Sequence, residues 1–337
     1  SLTDASSSLL DDLVSYVFHA PGSRLILVGD RAQLPPVGYE DSPALEGRTF
    51  ENGYGLYCTE IDLTRVYRQS EQSAILQNAT RVRQAMESGA TLPWGSLKFR
   101  TGSDFIRLED GYDIQSAIEG AYSQEGLSET ILITRSNKRA GAFNAQIRSR
   151  VLLSEGEIAS GDLLMVVKNN YFWVDENSPC GFIANGDLAE VMSVRREIEL
   201  YGMRFARVEL SLTDYPQMPK FEALILLDTL YSQAPALPEE RSRAFFEQVM
   251  LDYEDLPPRK RFEALAKNEY YNAIQVKFGY AVTCHKAQGG GWDNVLIEQV
   301  WMPEPKLSRE YLRWLYTAIT RARKRVYLIG FPDEFFE

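Results

Sequence analysis

The stretch "FGYAVTCHKAQGGGWDNV", which runs from Phe278 to Val295, places a polar, glycine-rich loop between two apolar runs. The runs "YAVT" and "NVLIE" are short and almost continuously apolar, which is typical of parallel strands whose two faces are both covered by helices. The loop gathers His285, Lys286 and Gln288 before three consecutive glycines, and glycine lets a backbone approach a ligand closely. The stretch therefore predicts a parallel α/β sheet with a polar loop at its edge.

Similar apolar runs and amphipathic helices occur on both sides of this stretch. The other predicted strands are "RLILVGD" (24–30), "TILIT" (130–134) and "RVYLIG" (325–330), and apolar residues at helical spacing predict helices over 4–18, 70–86 and 308–321. The sequence changes character at about residue 159, where short strands with turn residues follow one another, and Asn185-Gly186 predicts a type I′ hairpin. Charged helical sequence returns from about 236 to 273. This order predicts a small antiparallel β domain inserted into an α/β domain.

Composition restricts the class of protein without revealing its chemistry. The chain has 337 residues, 45% of them hydrophobic, and a net charge of −11, so it is long enough for about two domains and is not coated with basic surface. Its apolar runs are all shorter than the ~20 residues that span a bilayer. The three cysteines, Cys58, Cys180 and Cys284, lack metal-ligand spacing, which favours a reducing cytoplasm.

Two further segments carry candidate functional residues. Asp30 and Gln33 follow a predicted strand at its carboxyl end, where open α/β sheets bind ligands, while Arg65 and Arg68 precede a predicted helix. Arginine binds phosphate oxygens in pairs and suits charge that develops during phosphoryl transfer. Each feature alone also fits a structural role, such as a solvated pair of arginines or, for Arg321, a cation at a helix C-terminus.

Four segments together resemble the conserved motifs of the superfamily 1 helicases, in the RecD/Dda-like 5′→3′ branch. "GDRAQLPPVG" resembles motif III, "LTRVYRQS" motif IV, "YAVTCHKAQGGGWDNV" motif V and "LYTAITRARKRVYLIG" motif VI. In addition, "ILITRSNKRAGAFN" resembles a segment early in the second motor domain and "NGDLAEV" the small β domain inserted in it. The resemblance implies a RecA-like parallel-sheet motor domain with an inserted small antiparallel β-barrel of the Src-homology-3-like type, plus the remnant of a first RecA-like domain.

The resemblance also implies domain bounds. It gives the first motor remnant residues 1–60, the second motor domain 61–158 and 274–337, the inserted β domain 159–235, and a helical extension 236–273.

By position, the resemblance assigns two groups of residues. Gln33, Arg68 and Arg321 would sense the γ-phosphate of ATP, with Arg321 as the arginine finger; the nucleotide-binding residues it implies are Asp30, Gln33, Arg68, Gln288, Gly289 and Arg321. Thr134, Asn137, Thr283, His285 and Lys286 would face the nucleic acid. Such contacts grip phosphate and do not read sequence, so the expected partner is single-stranded DNA bound without sequence preference, with duplex DNA as the unwinding substrate.

Two departures from the family pattern matter. Gly291 stands where family members usually carry an acidic residue that contacts the nucleotide ribose. The chain also contains neither a G-x-x-x-x-G-K-[ST] phosphate loop nor the Asp-Glu pair that would hold Mg²⁺. We therefore expect the chain to be the C-terminal part of a DNA helicase of repair or recombination, unable to hydrolyse ATP alone and completed by a missing N-terminal segment that supplies the site for ATP and Mg²⁺.

Two alternatives remain open at this point. One is a non-catalytic nucleic-acid-binding module that keeps the helicase fold. The other is a helicase that acts on RNA, or a helicase domain fused to a relaxase.

Overall fold

The computed structural model describes residues 9–63, 72–89, 91–299 and 305–337. The α-helices of these ranges are α1 (Leu9–Phe18), α2 (Gly47–Tyr54), α3 (Ala74–Glu87), α4 (Gly111–Glu125), α5 (Asn137–Gln146), α6 (Glu239–Leu251), α7 (Pro258–Ala266) and α8 (Arg309–Ile319). The strands are β1 (Leu92–Pro93), β2 (Phe105–Leu108), β3 (Thr130–Thr134), β4 (Leu163–Val166), β5 (Leu188–Leu200), β6 (Met203–Leu212), β7 (Phe221–Leu226), β8 (Ile274–Phe278), β9 (Ala281–Thr283), β10 (Trp292–Glu298), β11 (Lys306–Leu307) and β12 (Ala322–Ile329).

A five-stranded parallel sheet forms the larger part of the fold, in the order β2-β12-β10-β3-β9. Every residue of β3 is buried, and so are the last five of β10, as expected for strands with helices on both faces. Helix α5 is fixed to the edge strand β9 by one side chain, because the Asn144 amide both accepts from Ala281 N (2.7 Å) and donates to Ala281 O (2.9 Å). The predicted α/β class and parallel sheet are confirmed.

The insert is a closed barrel of β4-β5-β6-β7-β8. Its strands pair antiparallel except for β7 and β8, which are parallel, so the barrel is mixed rather than wholly antiparallel as expected. The reason lies in the connection: parallel neighbours need a crossover of a dozen or more residues, and the segment that holds α6 and α7 supplies it between β7 and β8. The domain bounds implied by the resemblance place residue 274 at the start of a motor-domain segment. In the structure, however, β8 is a strand of the barrel.

The type I′ turn of the barrel lies elsewhere than predicted. Among the described residues, positive φ is found at Gly186 but not at Asn185, so this pair does not form a type I′ turn. Tyr201 (φ 54°) and Gly202 (φ 68°) are both left-handed and join β5 to β6 directly. Tyr201 is held in this strained conformation by its ring contact with Phe245 and its hydrogen bond to Asp252.

The segment "RLILVGD" forms no strand in the structure. Ile26 and Val28 are 84% and 85% exposed, and no strand among the described residues pairs with them. The prediction of a buried central strand was wrong for this part of the chain, because burial of an apolar strand depends on neighbouring strands as well as on its own sequence. What residues 9–63 do contribute is a loop that docks on α8.

Candidate functional site

A buried arginine of α8 fixes the docking segment, defined here as residues 30–41. Arg313 is 4% exposed and donates to the carbonyl oxygens of Arg31 (3.0 Å) and Glu40 and to the carboxylate of Asp41. Arg309, one helical turn earlier, also reaches Asp41 (3.2 Å). Arg313 is the main cause that holds the pKa of Asp41 below its usual value. The docking segment is therefore attached to α8 by charge as well as by packing.

Leu34 is the point where the segments that resemble motifs III, V and VI meet. Its N–H donates to Thr317 Oγ1 of α8 (2.9 Å), and its carbonyl oxygen accepts from Gln288 Nε2 (2.8 Å). The Gln288 amide is thus used to support the docking segment. Gln33, the neighbour of Leu34, is half-buried beside this junction.

Arg321 lies at the end of α8, where it is 6% exposed. Its Nε donates to Thr317 O (3.0 Å), and its Nη1 donates to Gly290 O (3.1 Å). Trp292 N in turn donates to Arg321 O (3.0 Å). The guanidinium is held between α8 and the glycine-rich stretch, at the amino edge of β10 and β12, and Thr317 links it to the docking segment.

The glycine loop, residues 284–291, needs its glycines for different reasons. Gly289 has φ +82°, a conformation that other residues rarely adopt. A Cβ added at Gly290 would lie 2.3 Å from the Trp292 ring, which leaves no room for it. At Gly291 the same atom would meet Arg321 O and Arg323 Nε at 3.5 Å, an ordinary contact. The position where the family carries an acidic residue is therefore open to a side chain.

Asp30 and Gln33 form a tight turn. The Asp30 carboxylate accepts from Ala32 N (2.9 Å) and from Gln33 Nε2 (3.4 Å), and it lies 3.8 Å from Arg83. Burial, followed by the charge of Asp30, raises the pKa of Tyr316. Asp30 thus orients Gln33 within the turn. Arg68, with Arg65, lies outside the described residues.

The candidate nucleic-acid residues cluster at the opposite, carboxyl edge of the sheet. Thr134 and Thr283 are register neighbours at the ends of β3 and β9. Thr134 is fully buried and donates to Ser136 O (3.0 Å), so a direct contact with a ligand would require this turn to open. Asn137, the first residue of α5, is half-buried, whereas His285 is exposed.

Two lysines from different segments of the chain, Lys277 and Lys286, line the cleft between α5 and the barrel. Lys286 donates to Asn185 Oδ1 (2.7 Å) and Lys277 of β8 donates to Ser232 O; Asn137 and Thr283 line the same cleft. Burial lowers the pKa of Lys286, and burial with the neighbouring charge of Lys286 lowers the pKa of Lys277 to about 8. Sequence reasoning missed Lys277, although a lysine within the apolar strand "IQVKF" was a signal.

The glycine loop connects the two edges. Because β9 and β10 are parallel strands of one sheet, the chain leaves β9 at the carboxyl edge and must enter β10 at the amino edge. Thr283, His285 and Lys286 stand at the start of this crossing, and Gly290 contacts Arg321 at its end. The two edges of the sheet are therefore joined by only a few residues.

Some absences hold for the part of the chain that the structure describes. In those ranges, no helix is long and apolar enough to cross a membrane. The same residues contain no group of three or more His, Cys, Asp or Glu side chains placed to hold a metal ion.

The fold, a parallel sheet with an inserted barrel, and the segments that meet on it resemble the superfamily 1 helicases. Residues 278–329 match the family of the UvrD-like helicase C-terminal domain. The chain is 25% identical over 341 residues to the ATP-dependent RecD2 DNA helicase of Deinococcus radiodurans. The matched region covers 98% of this chain and 36% of that protein. The resemblance to RecD-like superfamily 1 helicases is confirmed, and the chain spans about a third of that relative's length.

Other similar proteins are more distant or shorter in overlap. The uncharacterized protein MJ1519 of Methanocaldococcus jannaschii is 42% identical over 60 residues, 18% of this chain and 5% of that protein. Among solved structures, Bacteroides Pif1 bound to single-stranded DNA has a TM-score of 0.43 at 15% identity, covering 96% of this chain and 67% of the other. Bacteroides Pif1 in complex with ADP-AlF3 and single-stranded DNA has a TM-score of 0.41 at 15% identity, covering 97% and 68%.

Proposed function

We propose that this chain is the C-terminal part of an ATP-dependent DNA helicase, which moves along single-stranded DNA and unwinds duplex. The observation that carries the proposal is the glycine loop, which joins the candidate nucleic-acid residues at one edge of the sheet to Arg321 at the other. A motor needs such a link, because the change of charge at a nucleotide must alter the grip on the strand.

The nucleotide end of the site fits the terminal phosphate of ATP. A cleft of about 390 Å³ lies between the docking segment and α8, lined by Asp30, Gln33 and Gln288 among others, and Arg321 is held near the same junction. Bound ATP would supply the phosphoryl group whose transfer drives the motor. Gln33 would donate to a γ-phosphate oxygen. Arg321, with Arg68, would stabilise the negative charge that develops as the bond between the γ-phosphorus and its bridging oxygen breaks.

The remainder of the nucleotide site would come from another segment. The sequence holds no phosphate loop, and its Asp-Glu pairs, at 175–176 and 333–334, lie outside the segments that resemble helicase motifs. The residues 24–30 and 56–63 support the same view, because Val28 (85%), Tyr57 (90%) and Leu63 (86%) are exposed apolar side chains outside any helix or strand. We propose that strands of the first motor domain cover them in the whole protein.

The nucleic-acid end would bind phosphate without reading sequence. Lys286, Lys277, Asn137 and Thr283 line one cleft, and the exposed His285 is the sequence neighbour of Lys286. Cationic and backbone donors at strand ends suit a single strand of any sequence. We place the protein in the cytoplasm on its three free cysteines and propose a role in DNA repair or recombination.

The test uses the 337-residue chain itself. Fluorescence anisotropy with labelled oligo-dT should show binding that weakens steeply with salt. Lys286→Ala should weaken it, and Arg321→Ala should leave it unchanged. The chain alone should show no ATP hydrolysis above background. Hydrolysis that Arg321→Ala abolishes would contradict the proposal that the catalytic site needs a second segment.

A non-catalytic binding module is the second candidate, favoured by the absence of the phosphate loop from the sequence. It predicts oligo-dT binding that is indifferent to ATP even in the longest natural protein that contains this chain. Oligo-rU in the same assay separates a helicase that acts on RNA, because tighter binding to RNA would favour that alternative.

A further inference from the structure

The loop of the barrel between β4 and β5, residues 167–187, carries an exposed aromatic ring close to the candidate nucleic-acid residues. Tyr171 is 70% exposed, although its ring stacks on Phe182 with centroids 4.9 Å apart and planes 28° apart. One face of the ring is therefore supported by another ring, and the large exposed fraction belongs to the rest of the ring. The ring is therefore held in place on one side and accessible to a second planar group on the other.

A chain of hydrogen bonds joins this ring to Lys286. Lys286 Nζ donates to Asn185 Oδ1 (2.7 Å), and Asn185 N donates to Asn169 Oδ1 (2.8 Å). Asn169 Nδ2 then donates to the Tyr171 hydroxyl oxygen (3.2 Å). Asn169 and Asn185 are themselves exposed. The ring and the lysine thus belong to one continuous polar surface that runs from the motor domain onto the barrel.

The loop is rigid enough to present the ring in one orientation. Asn170 is 8% exposed and exchanges two backbone hydrogen bonds with Ile183 (2.8 and 2.9 Å). Its side chain accepts from Phe172 N (3.0 Å) and donates to Asn272 O (2.7 Å). Asp175 is the acidic residue of this loop that lies nearest to Tyr171 in sequence. Its carboxylate accepts hydrogen bonds from Asn177 N and Nδ2.

We propose that Tyr171, supported by Phe182, is a stacking site for one base of single-stranded DNA whose phosphate lies at Lys286. The proposal rests on the proposed function and adds to it a contact made by the barrel. Every base presents a π face, so a stacking site binds without sequence preference and agrees with phosphate contacts at Lys286. A cation and an aromatic ring on one polar surface would suit the alternation of phosphate and base along a strand.

The first test is binding of labelled oligo-dT to the 337-residue chain and its variants. Tyr171→Ala should weaken binding by at least about 5-fold, since loss of one stacked base costs about 1–3 kcal/mol. Tyr171→Phe, which keeps the ring, should bind within about 2-fold of the wild type. Tyr112→Ala is the matched control, because Tyr112 is 80% exposed and lies on α4, which is not part of the barrel. Melting temperatures of all variants would show that they fold.

The second test identifies the contact itself. Ultraviolet cross-linking to oligo-dT that contains 5-iododeoxyuridine, followed by peptide mass spectrometry, should place the cross-link on Tyr171. Wild type and Tyr171→Ala should bind an oligonucleotide of abasic sites with equal affinity, because it has no base to stack on the ring. Normal dT binding by Tyr171→Ala, or a cross-link elsewhere only, would overturn the stacking site and leave the proposed function intact. No binding of oligo-dT by the wild type would overturn both.

Discussion

Lys277 is a half-buried lysine whose charged form the fold disfavours. Its folded pKa, about 8, lies below its ordinary value of 10.5, so the folded state binds this proton less tightly than the unfolded chain. The buried cation therefore weakens folding below pH 8, and the loss is relieved as pH rises from about 8 to 10.5. We predict that Lys277→Met has a higher free energy of unfolding than the wild type at pH 7. Urea denaturation should show this advantage shrinking through that window.

The same proton links pH to nucleic-acid binding. A phosphate at the cleft favours the charged lysine, so affinity for oligo-dT should fall as pH rises past about 8. Lys277→Arg is the control, because arginine stays charged and should keep the affinity without this pH dependence. Equal pH profiles for wild type and Lys277→Arg would rule out a contact between Lys277 and phosphate.

At the scale of elements, Arg313 should determine whether the docking segment stays on α8. Arg313→Ala removes donors to two carbonyl oxygens and to Asp41 from a buried position. We expect a loss of about 2 kcal/mol of stability and faster amide exchange across residues 30–41. Arg309→Ala is the matched control, because the Arg309 side chain is 58% exposed and its ion pair with the same Asp41 should contribute under about 1 kcal/mol. Unchanged exchange in Arg313→Ala would contradict the attachment.

The joint between the barrel and the parallel-sheet domain depends on a second buried arginine. Arg148 pairs with the fully buried Asp162 at 2.8 Å and lies 4.4 Å from the centroid of the Phe278 ring. Arg148→Ala leaves Asp162 as an uncompensated buried charge, so we predict a loss of about 3–5 kcal/mol, measured by urea denaturation. Arg150→Ala, two residues later but exposed, should change stability by less than about 0.5 kcal/mol. Similar losses in both variants would show that the pair is not the joint.

The elements differ in how far their own sequence determines them. The strands β3, β10 and β12 could be predicted because each is a short apolar run whose burial agrees with its pattern. The membership of β8 could not, since "IQVKF" joins the barrel only through pairing with β4 and β7, far away in the chain. The turn at Tyr201-Gly202 was hidden because tyrosine is an unusual residue at positive φ, and its support by Phe245 is a tertiary contact.

The candidate site divides in the same way. Arg321, Gln33 and Lys286 could be predicted as candidates because they lie in segments that resemble motifs, where spacing along the chain carries the information. Tyr171 and Lys277 were missed, because their interest arises from what the barrel brings beside the glycine loop. Contacts across an inserted domain leave no local pattern in the sequence.

At the scale of the whole molecule, the central claim is that the glycine loop couples nucleotide and strand. The structure offers a matched pair of variants: a Cβ at Gly290 would lie 2.3 Å from the Trp292 ring, whereas at Gly291 the nearest atoms are 3.5 Å away. Gly290→Ala should therefore shift the carbonyl oxygen that accepts from Arg321, while Gly291→Ala should not.

The most direct measurement is ATP hydrolysis, with and without oligo-dT, by the natural protein that we propose contains this chain. We predict hydrolysis that single-stranded DNA stimulates, lost by at least about 10-fold in Gly290→Ala and kept in Gly291→Ala, with oligo-dT binding retained in both. Stimulation that survives in Gly290→Ala, or equal losses in the two variants, would contradict coupling through this loop.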